Sequence, residues 1–449
     1  MNPEIKSEMK SIALISLGCD KNLVESERIL GTLSKGSYIF EVSEEEAHII
    51  IINTCGFIRA AEDEAREHIA KAAALKESGS CLGIIITGCF AQRHKEKLLE
   101  EFPAIDKLVL NTEDLTAAAA ELAGIDPGKL NPLSGNDRVL ATPAHYAYLK
   151  IAEGCDNACA YCTIPLIKGR YKSVPMEELL EEARMLAGGG AKELVIIAQD
   201  TACYGMDLYG KSRIHELLRE LSLIPGIEWL RVMYAYPEHI TGDLIQEMCS
   251  NPKICHYLDM PIQHSNGNLL KRMGRASDEE SLRSLIGKLR TAMPDIILRT
   301  TVMTGFPGEA KAEFQSMLKF LEDVKFDRLG AFAYSREEGT PAFDLPDQLI
   351  EKTKEARRDR VMEQQNLISR EKLAGLLGKN LRVLIDGYED GLYYGRSYMD
   401  CPETDGLVYI EAPGPVLDYR TEIGSFVDVV IYETGDYDVW GRVCDLFRS

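Results

Sequence analysis

The stretch Gly154–Pro165 reads GCDNACAYCTIP. Its cysteines, Cys155, Cys159 and Cys162, follow the spacing C-x3-C-x2-C just after an apolar run, Ala147–Ala152, that predicts a strand. Three thiolates this close together in a loop can hold three irons of a 4Fe–4S cluster, whereas electron-transfer clusters take four cysteines. The fourth iron then keeps an open position, by the logic that separates catalytic from structural zinc. A zinc knuckle and three unrelated buried thiols are the other readings of the same residues. A zinc site would want a further Cys or His pair at recognisable spacing, and none follows Cys162.

Outward from this loop, residues 144–377 repeat strand then helix. Strands are predicted at Ala147–Ala152, Leu194–Ala198, Leu230–Tyr234, Tyr257–Met260, Ile297–Met303 and Leu329–Ala333. Helices are predicted at Met176–Ala187, Ile214–Leu221, Thr241–Cys249, Asp278–Ala292 and Glu309–Leu321. Six such units are too few for a closed eightfold barrel and predict a partial, open (β/α)6 barrel. A charged helical stretch, Ile350–Leu377, trails it.

Residues 1–130 also alternate apolar runs (Ile12–Leu17, Ile49–Asn53, Gly83–Thr87, Lys107–Leu110) with helical patterns such as Ser26–Ser34 and Ala60–Glu77, predicting an α/β fold with an open parallel sheet. Pro127–Pro143 has the composition of a linker. Three cysteines fall at equivalent places: Cys19 in SLGCDKN, Cys55 in NTCGF and Cys89 in TGCFAQ. Each ends a predicted strand beside a glycine (Gly18, Gly56, Gly88), and ligands of open parallel sheets sit beyond the carboxyl ends of the strands. The glycines let backbone approach a bulky group or take up positive φ. Three buried small hydrophobes are the bland alternative, but that leaves the shared strand end unexplained. A second three-cysteine cluster is therefore expected, whereas Cys81 precedes its strand and takes no role.

Residues 378–449 change character, with short apolar and aromatic runs (Leu381–Ile385, Leu407–Ile410, Phe426–Tyr432, Val439–Val443) between Gly, Pro and Asp turns. They predict a small five-stranded antiparallel barrel. From residue 379 onward it carries six Lys and Arg against fourteen Asp and Glu, a net of −8. The whole chain of 449 residues stands at −20, with 45% hydrophobic and 27% charged residues, as in a soluble globular protein. Its start, MNPEIKSEMK, has no apolar signal-peptide region, and Ile49–Ile52 is too short to span a bilayer, so a cytoplasmic protein without membrane contact is expected. Twelve cysteines in that setting suggest metal ligands rather than disulfides. The acidic balance argues against a sequence-independent grip on nucleic-acid phosphates and suits a basic partner.

Six cysteines in this order resemble the methylthiotransferase family of radical S-adenosylmethionine (SAM) enzymes, over nearly the whole chain. The resemblance implies that Cys155, Cys159 and Cys162 bind the 4Fe–4S cluster whose open iron chelates SAM, and that Cys19, Cys55 and Cys89 bind an auxiliary 4Fe–4S cluster carrying sulfur. It makes the last segment a TRAM domain. Family members modify tRNA adenosine or an aspartate in the twelfth small-subunit ribosomal protein. LGCDKNLVESE, close to G-C-x-K-N, and YLDMPIQHSN (Tyr257–Asn266) resemble the ribosomal-protein branch. The acidic last segment favours it independently, since a barrel gripping tRNA should present Lys and Arg, although such acids often only keep a surface soluble.

The resemblance further implies radical abstraction of hydrogen from the aspartate β-carbon, which no general base could deprotonate at neutral pH. Two SAM would be consumed per product, with electrons from a reductant such as flavodoxin or ferredoxin. Gln199, Asp200 and Thr201, then Gln263, Gly305 and Glu309, are the candidate SAM contacts; Glu309 also fits a helix N-terminus, and His264 fits a structural histidine. Cys203, Cys249, Cys255, Cys401 and Cys444 are expected to pack. Lys168, where relatives often have Arg, and Glu25, where Asp is common, are expected to touch no cluster ligand. The rival readings are a tRNA adenosine methylthiotransferase and, outside the family, an iron–sulfur electron-transfer protein.

Overall fold

The structure is a computed structural model that describes residues 10–34, 38–40, 42–110, 112–124, 138–411 and 422–444. The first sheet contains β1 (Lys10–Ser16), β2 (Tyr38–Ile39), β3 (Ile49–Thr54), β4 (Gly83–Gly88) and β5 (Lys107–Leu108), all parallel, in the order β2-β1-β3-β4-β5. Every residue of β3, IIIINT, is buried, because helices cover both faces of a parallel sheet. Successive side chains alternate between the faces: Ile50 and Ile52 pack with Ala65 and Ile69 of helix Arg59–Glu77, while Ile49 and Ile51 pack with Ile29 and Leu33 of helix Asp20–Leu33. Beyond the expected elements the segment holds helices Cys89–His94, Glu96–Glu101 and Thr112–Ala123.

Most of the expected linker, 127–137, lies outside the described residues. Its far end is anchored: Arg138 donates to Glu27 at 2.8 Å and to Glu182 at 2.8 Å, joining helix Asp20–Leu33 to helix Met176–Gly188.

The central segment places β6 (Tyr146–Lys150), β9 (Glu193–Ile197), β10 (Trp229–Val232), β11 (Ile254–Asp259), β12 (Ile297–Thr304) and β13 (Arg328–Ala333) side by side in sequence order, all parallel. The edge strands β6 and β13 do not pair, so the sheet is the expected open six-stranded one. A short antiparallel pair, β7 (Ala152–Glu153) and β8 (Lys172–Ser173), brackets the cysteine loop. Leu149, Ile196, Leu230 and Leu298 pack on the covering helices. The other face turns Tyr148, Val195, Trp229 and Tyr257 toward the last segment.

That segment is a closed barrel of β14 (Asn380–Glu389), β15 (Leu392–Ser397), β16 (Val408–Glu411), β17 (Phe426–Thr434) and β18 (Val439–Val443), reached through helix Glu351–Ala374. It differs from the wholly antiparallel barrel expected, since β16 and β18 pair in parallel. Strand β15, LYYGRS, carried no apolar run to announce it. Its Gly395 is forced by close approach, because a Cβ there would stand 2.2 Å from the Leu384 carbonyl.

The connection between β15 and β16 meets the face of the six-stranded sheet opposite the covering helices. Arg231 donates to the Tyr398 carbonyl at 2.6 Å, the Tyr257 hydroxyl to Asp405 at 2.6 Å and Arg328 to Asp400 at 2.5 Å. Tyr146 donates to Glu403 at 3.0 Å. Part of the barrel's acidity is thus spent inside the molecule. Among the described residues the exposed acids are Glu389, Asp390, Glu403, Glu422, Asp428, Glu433 and Asp436, with Lys379, Arg382 and Arg442 as exposed cations. No described helix is long and apolar enough to cross a membrane.

Candidate active site

The C-x3-C-x2-C loop leaves β7 at Gly154, whose φ of +73° and a would-be Cβ 2.2 Å from the Arg170 carbonyl admit only glycine. The Cys155 N–H donates to Gly169 at 3.2 Å, Ala160 N–H to Met273 at 2.8 Å, and Cys162 N–H turns back to Cys159 at 3.1 Å. Burial pushes the thiols up, Cys155 to about 11 and Cys162 to about 12, with Cys159 as a further like-charged neighbour of each. They are therefore protonated at neutral pH until a strongly cationic group offsets the burial, which is what a metal cluster does.

The second triad assembles as its strand ends required. β1, β3 and β4 are adjacent and parallel, and Cys19, Cys55 and Cys89 follow their C-terminal ends. Each glycine has a distinct reason. Gly18 (φ +95°) brings its turn onto Cys55, so that a Cβ would stand 2.8 Å from the Cys55 Sγ. A Cβ on Gly56 would lie 2.6 Å from the Cα of Phe90, and one on Gly88 (φ +90°) 2.6 Å from the Thr54 nitrogen. Cys19 is the N-cap of helix Asp20–Leu33 and Cys89 opens helix Cys89–His94. Burial raises Cys89 to about 12, Lys168 opposes that rise, and Cys19 and Cys55 add to it, so the three thiols share one electrostatic neighbourhood.

Size separates a cluster from a single ion. Among the described residues, the group of three or more Cys, His, Asp or Glu whose ligand atoms all lie within 4.8 Å of one another is Asp200, Cys203 and His239. Neither cysteine triad is that tight. Thiolates on one zinc, at about 2.3 Å each, would stand roughly 4 Å apart. Thiolates that each bind a different iron of a cluster stand further apart than that.

The two triads are tied to each other. Thr163, next to Cys162, donates its hydroxyl to the carbonyl of Phe57, two residues past Cys55, at 3.1 Å. Glu337 accepts from the Arg59 N–H at 2.9 Å and from Arg93 at 3.0 Å. Lys21, two residues past Cys19, places its ammonium 3.1 Å from the centroid of the Tyr234 ring. Lys150 pairs with Glu25 at 2.6 Å and Lys168 with Glu25 at 3.2 Å. Among the described contacts Lys168 and Glu25 bond to each other and to their charged neighbours, and neither bonds to a cysteine of either triad.

The residues singled out for SAM lie at the carboxyl ends of the central strands, with different commitments. Gln199 has a buried side-chain oxygen without a partner. Asp200 accepts from His239 at 2.7 Å and Asn157 at 2.9 Å; burial alone would raise its pKa, but these bonds hold it below the usual carboxylate range. Thr201 spends its hydroxyl on the Met233 carbonyl at 2.7 Å. Gln263 is held at φ +65°, a left-handed conformation found at strained functional positions. Gly305 (φ +76°) packs on Lys354. Glu309 is buried, accepting from Arg357 at 2.6 Å and from the Gly305 N–H at 2.5 Å. His264 is fully buried, its Nδ1 accepting from the Asn266 N–H at 2.9 Å.

Several site residues were not foreseen. Cys203 does more than pack: it lies 3.0 Å from His239 and donates to Asp200 at 3.3 Å. Arg275 stacks 3.7 Å over the Tyr236 ring and reaches the Tyr161 hydroxyl at 3.4 Å, while the Tyr236 hydroxyl lies 3.6 Å from the Cys159 sulfur. Tyr234, under Lys21, is held at φ +57°. These aromatic and cationic residues sit on loops, where periodicity carries no signal. A cavity of about 570 Å³ lined by Lys192, Glu228, Arg382 and Phe426 lies at the opposite, amino-terminal end of β9 and β10, away from both triads.

An open parallel sheet with a three-cysteine loop after its first strand defines a radical SAM enzyme, and the Radical SAM superfamily model matches residues 149–321. A family described as Uncharacterized protein family UPF0004 matches residues 11–110, and the TRAM domain residues 377–444. The chain belongs to the family of the ribosomal protein uS12 methylthiotransferases, RimO. It is 46% identical over 441 residues to the member from Lachnoclostridium phytofermentans, covering 96% of this chain and 99% of that one. To the member from Clostridioides difficile it is 46% identical over 446 residues, covering 97% and 99%. Among solved structures, the radical S-adenosylmethionine methyltransferase TsrM from Kitasatospora setae with cobalamin and [4Fe-4S] cluster bound shares the fold, with a TM-score of 0.53 and 13% identity over 86% of this chain and 80% of that one. The chain is accordingly a transferase of the radical SAM class, with SAM and iron–sulfur as its cofactors.

Proposed function

We propose that this enzyme adds a methylthio group to the β-carbon of an aspartate in ribosomal protein uS12, consuming two SAM per product. The observation that carries the two-site reading is the delivery of Cys19, Cys55 and Cys89 by three adjacent strands to a crevice bonded to the Cys155–Cys162 loop through Thr163 and Phe57. Each triad would hold a 4Fe–4S cluster, one supplying the electron that cleaves SAM and the other the sulfur to be inserted.

The chain's own residues do the placing. Gln199, with its unpartnered oxygen, and Gln263, with its strained backbone, are the side chains best disposed toward SAM. Asp200 and Gly305 sit at the same strand ends, while Thr201 and Glu309 spend their side chains on Met233, Arg357 and Gly305. Arg275 and Tyr236 stand beside the loop, Arg275 at Tyr161 and the Tyr236 hydroxyl 3.6 Å from the Cys159 sulfur. The excess of exposed acids on the barrel supports a basic protein loop as the segment it meets, and a flavodoxin- or ferredoxin-like reductant would supply the electrons. It gives no support to a grip on RNA phosphates.

The test is anaerobic incubation of the reconstituted enzyme, SAM and a reductant with uS12 or with tRNA, followed by mass measurement. A methylthio mass on an aspartate of uS12 is expected. The same mass on tRNA alone would show the rival substrate, and no 5′-deoxyadenosine would reduce the protein to an electron carrier.

A further inference from the structure

The junction between the amino-terminal sheet and the central sheet contains a group of four charges. Lys150 of β6 pairs with Glu25 at 2.6 Å and with Glu153 at 2.6 Å. Lys168, at the end of helix Ile164–Lys168, pairs with Glu25 at 3.2 Å and with Glu153 at 3.4 Å. Glu25 comes from helix Asp20–Leu33, whose N-cap is Cys19, so the group spans both segments. Side-chain exposure is 6% for Lys150 and 9% for Lys168. The two carboxylates are half-buried, at 18% for Glu25 and 29% for Glu153, and withdrawing two ammonium groups from water costs desolvation energy that well-packed apolar residues would avoid, so stability alone explains the group poorly.

Its position supplies a reason. Helix Ile164–Lys168 packs on helix Cys89–His94, and Thr163 fixes that packing through Phe57. Lys168 closes its helix and pairs with Glu25 at 3.2 Å, so one cation and one anion stand at the seam beside the helix that Cys89 opens. Lys168 belongs to the central segment, while Cys89 belongs to the first.

We propose that Lys168 and Glu25 are an opposed pair of positioning charges that sets the reduction potential of the iron–sulfur cluster held by Cys19, Cys55 and Cys89. The inference rests on the assignment of a second cluster to those cysteines. Three thiolates give a 4Fe–4S cluster net negative charge, and each added electron or anionic sulfur increases it. A fixed cation nearby favours the more negative state and a fixed anion disfavours it, most strongly where water is excluded. The central segment thereby completes a metal site whose ligands all lie in the first.

The test uses the full chain with Cys155→Ala, Cys159→Ala and Cys162→Ala, so that only the second cluster loads, and follows its reduction by EPR-monitored titration with dithionite. In that background K168Q is expected to shift the midpoint to more negative potential and E25Q to more positive potential, with K168R close to the parent. Shifts in the same direction, or no shift in either, would overturn the proposal, because a purely structural role gives no reason for opposite signs. Should K168Q fail to retain iron, retention by K168R would sustain the charge requirement and equal loss in K168R would overturn it. A parent that binds no iron would instead overturn the cluster assignment, and the inference with it.

Discussion

The ammonium of Lys21 lies 3.1 Å from the centroid of the Tyr234 ring, joining the start of helix Asp20–Leu33 to the loop after β10. Tyr234 holds φ +57°, kept there by its N–H donating to Asp259 at 3.0 Å and its carbonyl accepting from the Thr201 N–H at 3.1 Å. A non-glycine residue in that conformation carries strain of about 1–3 kcal/mol, tolerated where the surroundings over-determine it. A desolvated cation–π contact contributes about 2 kcal/mol. Lys21→Met is therefore expected to lower kcat/KM by up to roughly 30-fold while iron content stays unchanged. Iron analysis beside steady-state kinetics checks it, and loss of iron would assign Lys21 to cluster retention.

Cysteine replacement separates ligands from packing residues. The wild-type chain is expected to reconstitute with about eight irons, and Cys19→Ala, Cys55→Ala or Cys89→Ala with about four. Cys81→Ala should keep about eight, since Cys81 is buried and donates to the Gly83 carbonyl at 3.2 Å. Iron and sulfide assays after anaerobic reconstitution decide the matter.

The barrel is held on the central sheet by buried charge. Glu193 accepts from Arg231 at 2.7 Å and from Arg396 at 2.5 Å, and Arg396 also pairs with Asp386 at 2.7 Å. Glu193→Ala leaves two guanidinium groups short of a partner and is expected to cost about 3–5 kcal/mol. Denaturant unfolding, with limited proteolysis to register release of the barrel, measures it.

The same carboxylates predict an acid limit to stability. Burial would raise the pKa of Glu193, but Arg396 and Arg231 outweigh it and the folded value is depressed. Asp386 is likewise depressed, through His145 and Arg396. A depressed folded pKa means that the stabilisation is complete above the unfolded value, about 4 for a carboxyl group, and is lost as pH falls below it. Thermal unfolding from pH 7 to pH 3 should show this loss, with a shallower slope in Glu193→Gln.

Tyr257→Phe tests the segment that enters the sheet. It removes the donor to Asp405, leaving a carboxylate that also receives the Cys401 N–H at 2.9 Å and faces Arg299 at 3.6 Å. A cost of about 1–3 kcal/mol is expected in chemical denaturation.

Much of the site was legible in the amino-acid order. The alternation of apolar runs with helical patterns, and the strand-end positions of Cys19, Cys55 and Cys89, are local properties that bonding along each chain segment enforces. What periodicity could not supply was any pairing across the segments. Strand β15 lacked an apolar signature because it places Arg396 and Ser397 against buried partners of the central sheet. The barrel's formal charge misled in part, since Asp386, Asp400 and Asp405 are consumed by Arg396, Arg328 and Arg299.

By itself the sequence determined the two cysteine triads, the glycines that let their turns close, and the parallel strands that carry them. Only the tertiary structure decided how the triads meet, through Thr163 and Phe57, 106 positions apart, and through Lys168 and Glu25, 143 apart. The reason is physical. A strand end fixes a thiol by local geometry, whereas a buried charge finds its partner only when whole segments dock and water leaves the space between them.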